Sequence, residues 1–321
     1  MVDNFKLGFG PMSHEIVDIL CRSRSPLMII ASRNQVDVSS GYVMSTEELA
    51  QYHRTNTLLC RDHCGPYFLD SEKDLSQSQA IEATKKTIAE DIEQGFDLIH
   101  IDTSRCISGY GVAEELISFC LDMNQHIKFE FGTEENIGVV AGIEKYKADV
   151  DFAKQFPNME FVVAQTGSLV FEDLQAGVFD MDIVTDLVNY ANEAGVKLKE
   201  HNADYLTSDQ IRVRNIAGVH AMNIAPQLGV IQTRLIKELA QYYSLEEEWD
   251  AFAKVVLDSN KWSKWTLPIR SDELKVDVAG HYLYQHPKFK ILIEELDRHV
   301  QWRALLEKEI ISLIQLYESN L

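Results

Sequence analysis

The chain has 321 residues and carries 30 Lys and Arg against 50 Asp and Glu, a formal net charge of −20 at pH 7. With 45% hydrophobic residues, 16 Gly and 7 Pro, the composition excludes a disordered chain, a collagen-like repeat and a small disulfide scaffold. The acidic balance, without a basic block, argues against nucleic-acid binding, because clustered Lys and Arg hold a phosphate backbone.

Eight short apolar runs recur along the chain, and helix-like stretches lie between most of them. The runs are 6–9, 27–31, 57–60, 98–101, 127–131, 160–164, 196–199 and 219–223. Strand–helix units of this length imply parallel strands joined by right-handed crossovers. Eight units predict an α/β fold of the closed (β/α)8 TIM-barrel type rather than an open sheet.

Capping signals mark several of the predicted helices. Ser45 and Glu48 match a capping box, whereas stretches 79–94 and 181–193 end close to a glycine. A further helix is predicted over 207–216.

The pattern changes near residue 240. Stretches 242–257 and 289–316 are typical of amphipathic helices, and all four tryptophans lie in this part. We therefore predict a TIM-barrel domain of residues 1–240 and a helical C-terminal appendage of residues 241–321. The appendage covers part of the barrel, contacts another subunit or packs as a tail on its own barrel.

Targeting signals are not evident. The first residues lack the apolar region of a secretory signal, and no run approaches the roughly 18 apolar residues of a membrane span. Five cysteines, an odd number in a large chain, favour reduced thiols. We expect a soluble, cytoplasmic protein that does not bind membranes.

Polar side chains end or follow seven of the runs. They are Asn34, Gln35, Asp62, His63, Asp102, Glu130, Gln165, His201 and Asn223. Because the C-terminal ends of barrel strands meet at one mouth, this register predicts an active site there.

Asp62 and His63 form the most informative cluster. The pair suits proton transfer by Asp62 and metal ligation by His63, with a loop-capping histidine as the alternative. His201 is the second candidate ligand and Glu130 the third, with Glu134 as competitor of Glu130. Two imidazoles and a carboxylate can hold Zn²⁺ with an open position for substrate.

Other strand-end residues allow two interpretations each. His100 and Asp102 are two residues apart, so their side chains face the same side of a strand. Either they orient a metal ligand, or they form a hydrogen-bonded pair in the core. We count Asp102 with Asp62 as candidate catalytic residues. The segment after Gln165 either cradles a phosphate or forms an ordinary turn. The candidate substrate-binding residues are Asn34, Gln35, Glu134, Gln165, Thr166, Gly167, Ser168, Asn202, Asp204 and Asn223.

An ordered set of segments resembles a known family. The segments are 31–42, Asp62-His-Cys-Gly-Pro66, 95–104, 132–134, 163–167 and Glu200-His-Asn-Ala-Asp-Tyr205. Together they resemble the partner subunit of class II D-tagatose-1,6-bisphosphate aldolase, often called non-catalytic or chaperone-like. More distantly, they are similar to the catalytic class II fructose- and tagatose-bisphosphate aldolases.

The distant resemblance implies roles for five residues. Asp62 corresponds to the proton-transfer acid, His63 and His201 to zinc ligands, Glu130 to a glutamate of the site, and Asn223 to a contact with substrate and phosphate.

Two departures from the catalytic enzymes stand out. The segment that starts at Gln165 lacks their further zinc histidine, and Asn202-Ala-Asp204 replaces their Gly-Gly-Ser phosphate loop. The Asp204 carboxylate would repel a phosphate unless it binds something else. The partner-subunit family shares both departures, and some of its members are regarded as C4 epimerases of ketose 6-phosphates.

The function predicted from these residues is metal-dependent aldol chemistry at the C3–C4 bond of a ketose or ketose phosphate. We expect Zn²⁺, with Mn²⁺ or Co²⁺ as alternatives, and Asp62 as the group that removes the C4 hydroxyl proton. A C4 epimerase and a non-catalytic subunit that stabilises an aldolase remain alternatives. A kinase is excluded, because the sequence has no phosphate-binding glycine loop. The expected partners are a sugar or sugar phosphate and further copies of the chain, with an aldolase as the alternative.

Overall fold

The central feature of the fold is a closed barrel of parallel strands. A computed structural model describes residues 4–39, 41–132, 138–140 and 142–321. The strands in these ranges are β1 (Leu7–Phe9), β2 (Leu27–Ser32), β3 (Val36–Asp37), β4 (Met44–Ser45), β5 (Thr57–Cys64), β6 (Leu98–Asp102), β7 (Lys128–Gly132), β8 (Met159–Ala164), β9 (Val170–Phe171), β10 (Leu174–Gln175), β11 (Lys197–Glu200) and β12 (Ala221–Ile224).

Eight of these strands close the barrel in the order β1-β2-β5-β6-β7-β8-β11-β12. Neighbouring strands are parallel all the way round, and β12 pairs with β1. Each of the eight apolar runs in the sequence coincides with one barrel strand. The predicted (β/α)8 TIM barrel is therefore confirmed.

Helices surround the barrel and form the C-terminal part. They are α1 (His14–Arg22), α2 (Thr46–Ala50), α3 (Gln77–Glu93), α4 (Gly109–Met123), α5 (Ile143–Ala153), α6 (Met181–Glu193), α7 (Ser208–Ala217), α8 (Pro226–Tyr242), α9 (Glu246–Asp258), α10 (Asp272–Ala279), α11 (Pro287–His299) and α12 (Trp302–Glu318). The capping box predicted at Ser45 is confirmed, since Ser45 and Glu48 satisfy each other's backbone N–H groups at the start of α2.

The C-terminal helices differ from the predicted ones in two places. The helix predicted from residue 242 begins only at Glu246, because Ser244 adopts a left-handed φ of 59° after α8 ends. The helix predicted over 289–316 is broken, because Val300 is extended and the next helix starts at Trp302, which is fully buried. The predicted boundary near residue 240 falls inside α8, so the division into two domains stays a prediction.

The core joins the barrel to the C-terminal helices. One cluster of buried side chains contains Ile16 and Leu228 from barrel helices together with Trp249, Phe252 and Trp302. Burial of this apolar surface holds the later helices on the barrel. No helix of the described residues is long and apolar enough to cross a bilayer.

A buried ion pair braces β5 against α3. The Arg61 guanidinium lies 2.6 and 2.7 Å from the two carboxylate oxygens of Asp91, and both side chains are fully buried. Arg61 also donates to the carbonyl oxygens of Ala31 and Val36. The pair thus anchors the strand that carries Asp62 and His63.

We expect Arg61→Ala to lower the free energy of unfolding by about 3–5 kcal/mol, because Asp91 would remain buried without its counter-charge. Urea-induced unfolding followed by circular dichroism measures the change. Arg212→Ala is the control, since Arg212 pairs with Asp209 at the surface and should contribute less than about 1 kcal/mol. Similar losses in both variants would contradict the role assigned to the buried pair.

Candidate active site

The barrel interior changes from apolar to polar toward the C-terminal ends of its strands. A separate apolar cluster contains Phe5, Met28, Ile30, Cys60, Leu98, Phe161 and Ala221. Because every second side chain of a strand faces the same side, the next positions on three of these strands hold Asp62, His100 and Asn223. These polar groups therefore face the mouth, where barrels of this type carry out their chemistry.

A bulge in β5 brings two consecutive residues to this mouth. Asp62 pairs in register with Ser32 of β2, but the pairing of β5 with β6 shifts between Arg61 and Cys64. His63 adopts a left-handed φ of 46° at the shift. Neighbouring strand residues normally face opposite sides, and the bulge redirects His63 to the side of Asp62.

Three imidazoles surround the Asp62 carboxylate. Nδ1 of His100 lies 3.1 Å from its Oδ1, Nε2 of His63 lies 3.8 Å from its Oδ2, and Nε2 of His201 lies 4.0 Å from its Oδ1. The ring centroids of the three histidines are 5.1–5.4 Å apart. One potential ligand atom from each of the four residues lies within 4.8 Å of all the others.

Asp102 positions the imidazole of His63. Its Oδ2 lies 2.7 Å from Nδ1 of His63, and its Oδ1 accepts the backbone N–H of Ser104. Gly65, directly after β5, allows the chain to pass close to the end of β6, because a Cβ at this position would overlap with the carbonyl oxygen of Asp102. Asp102 thus fixes the orientation of the His63 ring, and its catalytic role stays a prediction.

Glu130 binds His201 and a buried lysine. One carboxylate oxygen lies 2.6 Å from Nε2 of His201, and the other lies 2.6 Å from Nζ of Lys199. Burial alone would raise the pKa of Glu130, but Lys199, His100 and His201 hold it below its usual range. Although burial opposes it, Glu130 also raises the pKa of Lys199, so Lys199 is a fixed cation.

The charge states of the cluster follow from its own neighbours. Burial disfavours the Asp62 carboxylate, but His63, His201 and His100 outweigh burial and hold the pKa of Asp62 well below its usual range. Burial would also lower the pKa of His63, but Asp62 and Asp102 raise it to about 9. For His201 burial prevails and lowers the pKa. Without a bound cation, the cluster therefore holds an ionised Asp62 between a protonated His63 and a neutral His201.

The three histidines of the cluster line a cavity of about 810 Å³. His63, with 41% of its side chain exposed, His100 and His201 line the cavity together with Asp102. The C-terminal part contributes Lys261, Ser263, Lys264 and Tyr282 to the same wall. The appendage therefore covers part of the barrel mouth, which is one of the positions predicted for it.

Two of the predicted substrate-binding residues, Asn34 and Asn202, line this cavity. Six others are buried: Gln35, Gln165, Thr166, Ser168, Asp204 and Asn223. Gly167 has a left-handed φ of 92° and lies against the backbone of Val178. Glu134 lies outside the described residues.

The structure gives three of the buried residues partners within the fold. Ser168 donates to the backbone carbonyl of His201, and Gln35 accepts the backbone N–H of Ser32. The Asp204 carboxylate accepts two backbone N–H groups of α8. These contacts are internal to the fold, whereas the amide of Asn223 has no partner among the described residues.

Several cavity residues were not predicted from the sequence. Phe68 stacks on His63 with ring centroids 5.5 Å apart, and the Arg105 guanidinium lies 4.3 Å from the centre of the Phe68 ring. The rings of Tyr42 and Tyr282 contact each other at the mouth, with ring centroids 4.9 Å apart. All four residues lie outside the barrel strands. A search for polar residues at the ends of apolar runs therefore could not predict them.

No family model matches the chain, and no curated protein matches it. Solved structures are similar. A protein from Sinorhizobium meliloti described as a probable tagatose 6 phosphate kinase has a TM-score of 0.83 at 18% identity, over 98% of this chain and 100% of that chain. A fructuronate-tagaturonate epimerase from Cohnella laeviribosi has a TM-score of 0.62 at 10% identity, over 98% and 81%.

A fructose-bisphosphate aldolase from Campylobacter jejuni has a TM-score of 0.56 at 12% identity, over 99% of this chain and 89% of that chain. At these identities the likeness concerns the fold. The resemblance inferred from the sequence is confirmed at that level, since the chain shares its barrel with proteins of the aldolase-related group.

Proposed function

We propose that this protein is a metal-dependent enzyme that breaks and forms the C3–C4 bond of a ketose. The observation that carries the proposal is the group formed by Asp62 with His63, His100 and His201 at the barrel mouth. An ionised carboxylate surrounded by imidazoles can accept a proton next to a bound cation.

The donor set fits a divalent cation of the zinc type. Imidazole nitrogens are preferred ligands of Zn²⁺ and Co²⁺. Nε2 of His100 is buried and has no partner among the described residues, which is costly unless a ligand satisfies it. His201 is held neutral by burial, as a ligand imidazole must be, whereas His63, whose pKa is raised to about 9, would release its proton when the cation binds.

We propose His63, His100 and His201 as the ligands of this cation. This set departs from the one predicted from the sequence, in which Glu130 stood in place of His100. Both Glu130 oxygens are already engaged, by Nε2 of His201 and by Lys199, so Glu130 is better suited to orienting His201. Nδ1 of His201 would then be the nitrogen that binds the cation. A carboxylate behind a ligand imidazole commonly has that role.

The residues of the chain then divide the work. A cation held by His63, His100 and His201 would supply Lewis-acid polarisation of the C2 carbonyl of the sugar. Asp62 accepts the C4 hydroxyl proton, and C4 with its oxygen becomes the carbonyl of an aldehyde as the C3–C4 bond breaks. The electron pair of that bond forms a double bond between C2 and C3, and the carbonyl pair moves to the C2 oxygen to give an enediolate. Reversal of these movements, with the proton returned by Asp62, forms the bond again.

A C4 epimerase is the second candidate. The covered mouth favours it, because Tyr42, Lys261 and Tyr282 wall a cavity in which a released aldehyde would be retained. Rotation of that aldehyde and addition to its other face would invert C4. The epimerase of similar fold provides a precedent on the same barrel. The kinase name of another neighbour does not transfer, because the sequence lacks the glycine loops of kinases.

The test uses the full chain loaded with Zn²⁺ and a series of ¹³C-labelled ketoses, ketose 6-phosphates and ketouronates. Nuclear magnetic resonance distinguishes a free aldehyde, which indicates an aldolase, from a C4-inverted sugar, which indicates an epimerase. If the loaded protein neither cleaves nor inverts any sugar of the series, the proposed function is wrong. A non-catalytic role beside an aldolase then becomes the favoured alternative.

A further inference from the structure

Three cations of the cavity wall have no ion-pair partner among the described residues. They are Arg105, which follows β6, and Lys261 and Lys264, which lie on one 3₁₀ turn of the C-terminal part. The nearby carboxylate of Asp70 is already paired with Lys73 at 2.8 Å. In a chain with a net charge of −20, an unpaired cluster of this sign needs an explanation.

Aromatic rings hold the three cations in place. The Arg105 guanidinium stacks on Phe68 and donates to the carbonyl oxygen of Tyr67 at 2.8 Å. Nζ of Lys264 lies 4.8 Å from the centre of the Trp265 ring, and Nζ of Lys261 lies 5.3 Å from the centre of the Tyr282 ring. These contacts position the charges without neutralising them.

The three cations repel one another, and this repulsion contributes to the lowered pKa values of Lys264 and His281. Partial removal from water, followed by the charges of Arg105 and Lys261, lowers the pKa of Lys264, although part of its side chain is exposed. Burial, Lys264 and Lys261 also lower the pKa of His281 to about 3. A bound anion would relieve this repulsion, which makes the cluster a receptor for negative charge.

The N-terminus of α8, a second place where an anion could bind, is occupied by a side chain of the protein itself. In barrels of this type a phosphate often binds at a helix N-terminus beside the last strands. Here the Asp204 carboxylate accepts the N–H groups of Ala225 and Gln227 at 3.0 and 2.9 Å, at the start of α8. Asp204 is fully buried, so the chain's own carboxylate occupies that position.

We propose that the substrate carries a single anionic group, a phosphate monoester or a carboxylate, and that Arg105, Lys261 and Lys264 bind it. This inference rests on the proposed function for the sugar part of the substrate. Only the Phe68 ring separates Arg105 from His63, so one short sugar chain can reach both the cation cluster and the imidazoles. Because Asp204 occupies the N-terminus of α8, a second phosphate cannot bind there, and we expect bisphosphates to be poor substrates.

The test compares wild type, the double variant Lys261→Gln/Lys264→Gln and the control Lys254→Gln. Lys254 lies on α9 of the same C-terminal part, where it pairs with Asp258 at the surface. Equilibrium dialysis measures binding of inorganic phosphate and of acetate, independently of turnover. Steady-state kinetics with Zn²⁺-loaded protein compare a neutral ketohexose, its 6-phosphate, its 1,6-bisphosphate and the corresponding ketouronate.

We expect the double variant to raise KM for the anionic sugar about tenfold to hundredfold and to weaken binding of the matching anion, since charge-assisted hydrogen bonds are lost. In the double variant the KM of the anionic sugar should rise at least tenfold more than the KM of the neutral sugar, which carries no anion to bind. All properties of Lys254→Gln should stay within about twofold of wild type. Preference for the 6-phosphate or for the ketouronate identifies the anion as phosphate or carboxylate.

Two outcomes would overturn the inference. One is unchanged anion binding and unchanged KM in the double variant, and the other is a 1,6-bisphosphate that binds more tightly than the 6-phosphate. If no sugar reacts but phosphate or acetate binding is lost in the double variant alone, the anion site stands and the proposed retro-aldol function is wrong.

Discussion

Asp62→Asn is expected to lower kcat by about 10²–10⁴-fold, because the amide cannot accept the C4 hydroxyl proton. The substitution keeps the size of the side chain and its contacts with His100 and His201. The bound metal should therefore remain. Turnover of the sugar identified in the substrate series, measured on protein of known metal content, checks this result.

The matched control for this variant is Asp122→Asn, which makes the same chemical change at an exposed position of α4. It should retain wild-type activity. If Asp62→Asn keeps more than about a tenth of wild-type kcat with its metal in place, Asp62 does not transfer the proton. Loss of metal together with activity would instead make Asp62 a ligand.

The metal content of three variants separates the two ligand sets. We expect His100→Ala and His201→Ala to raise the Kd for Zn²⁺ by more than about a hundredfold, whereas Glu130→Gln should weaken it by about 10–100-fold, as a residue behind a ligand does. Competition with a chromophoric chelator gives the Kd. Elemental analysis after dialysis gives the metal retained.

The control is His126→Ala, since His126 is exposed on the loop between α4 and β7. Its Kd should equal that of wild type. Because Glu130→Gln leaves the Lys199 ammonium without its partner, its melting temperature is measured on the same sample. Complete loss of metal in Glu130→Gln, with wild-type affinity in His100→Ala, would restore the ligand set predicted from the sequence.

The sequence alone determined the barrel and the end at which its polar residues gather. Strand and helix periods are local properties, so eight apolar runs and their intervening helices could be recognised without knowledge of their contacts. Capping at Ser45 is equally local, because the bonds join residues three apart. Asp62, His63 and His201 were found for the same reason, since each ends or follows a strand of the barrel.

The tertiary structure alone decided how these residues combine. The bulge at His63, the pairing of Glu130 with Lys199, and the contact of Asp204 with α8 join residues from different strands and loops. The cations of the appendage reach the mouth only after the chain has packed back across the barrel. Such contacts depend on strand register and on closure of the barrel, which no local sequence period encodes. They decide which polar and charged groups lie together at the mouth.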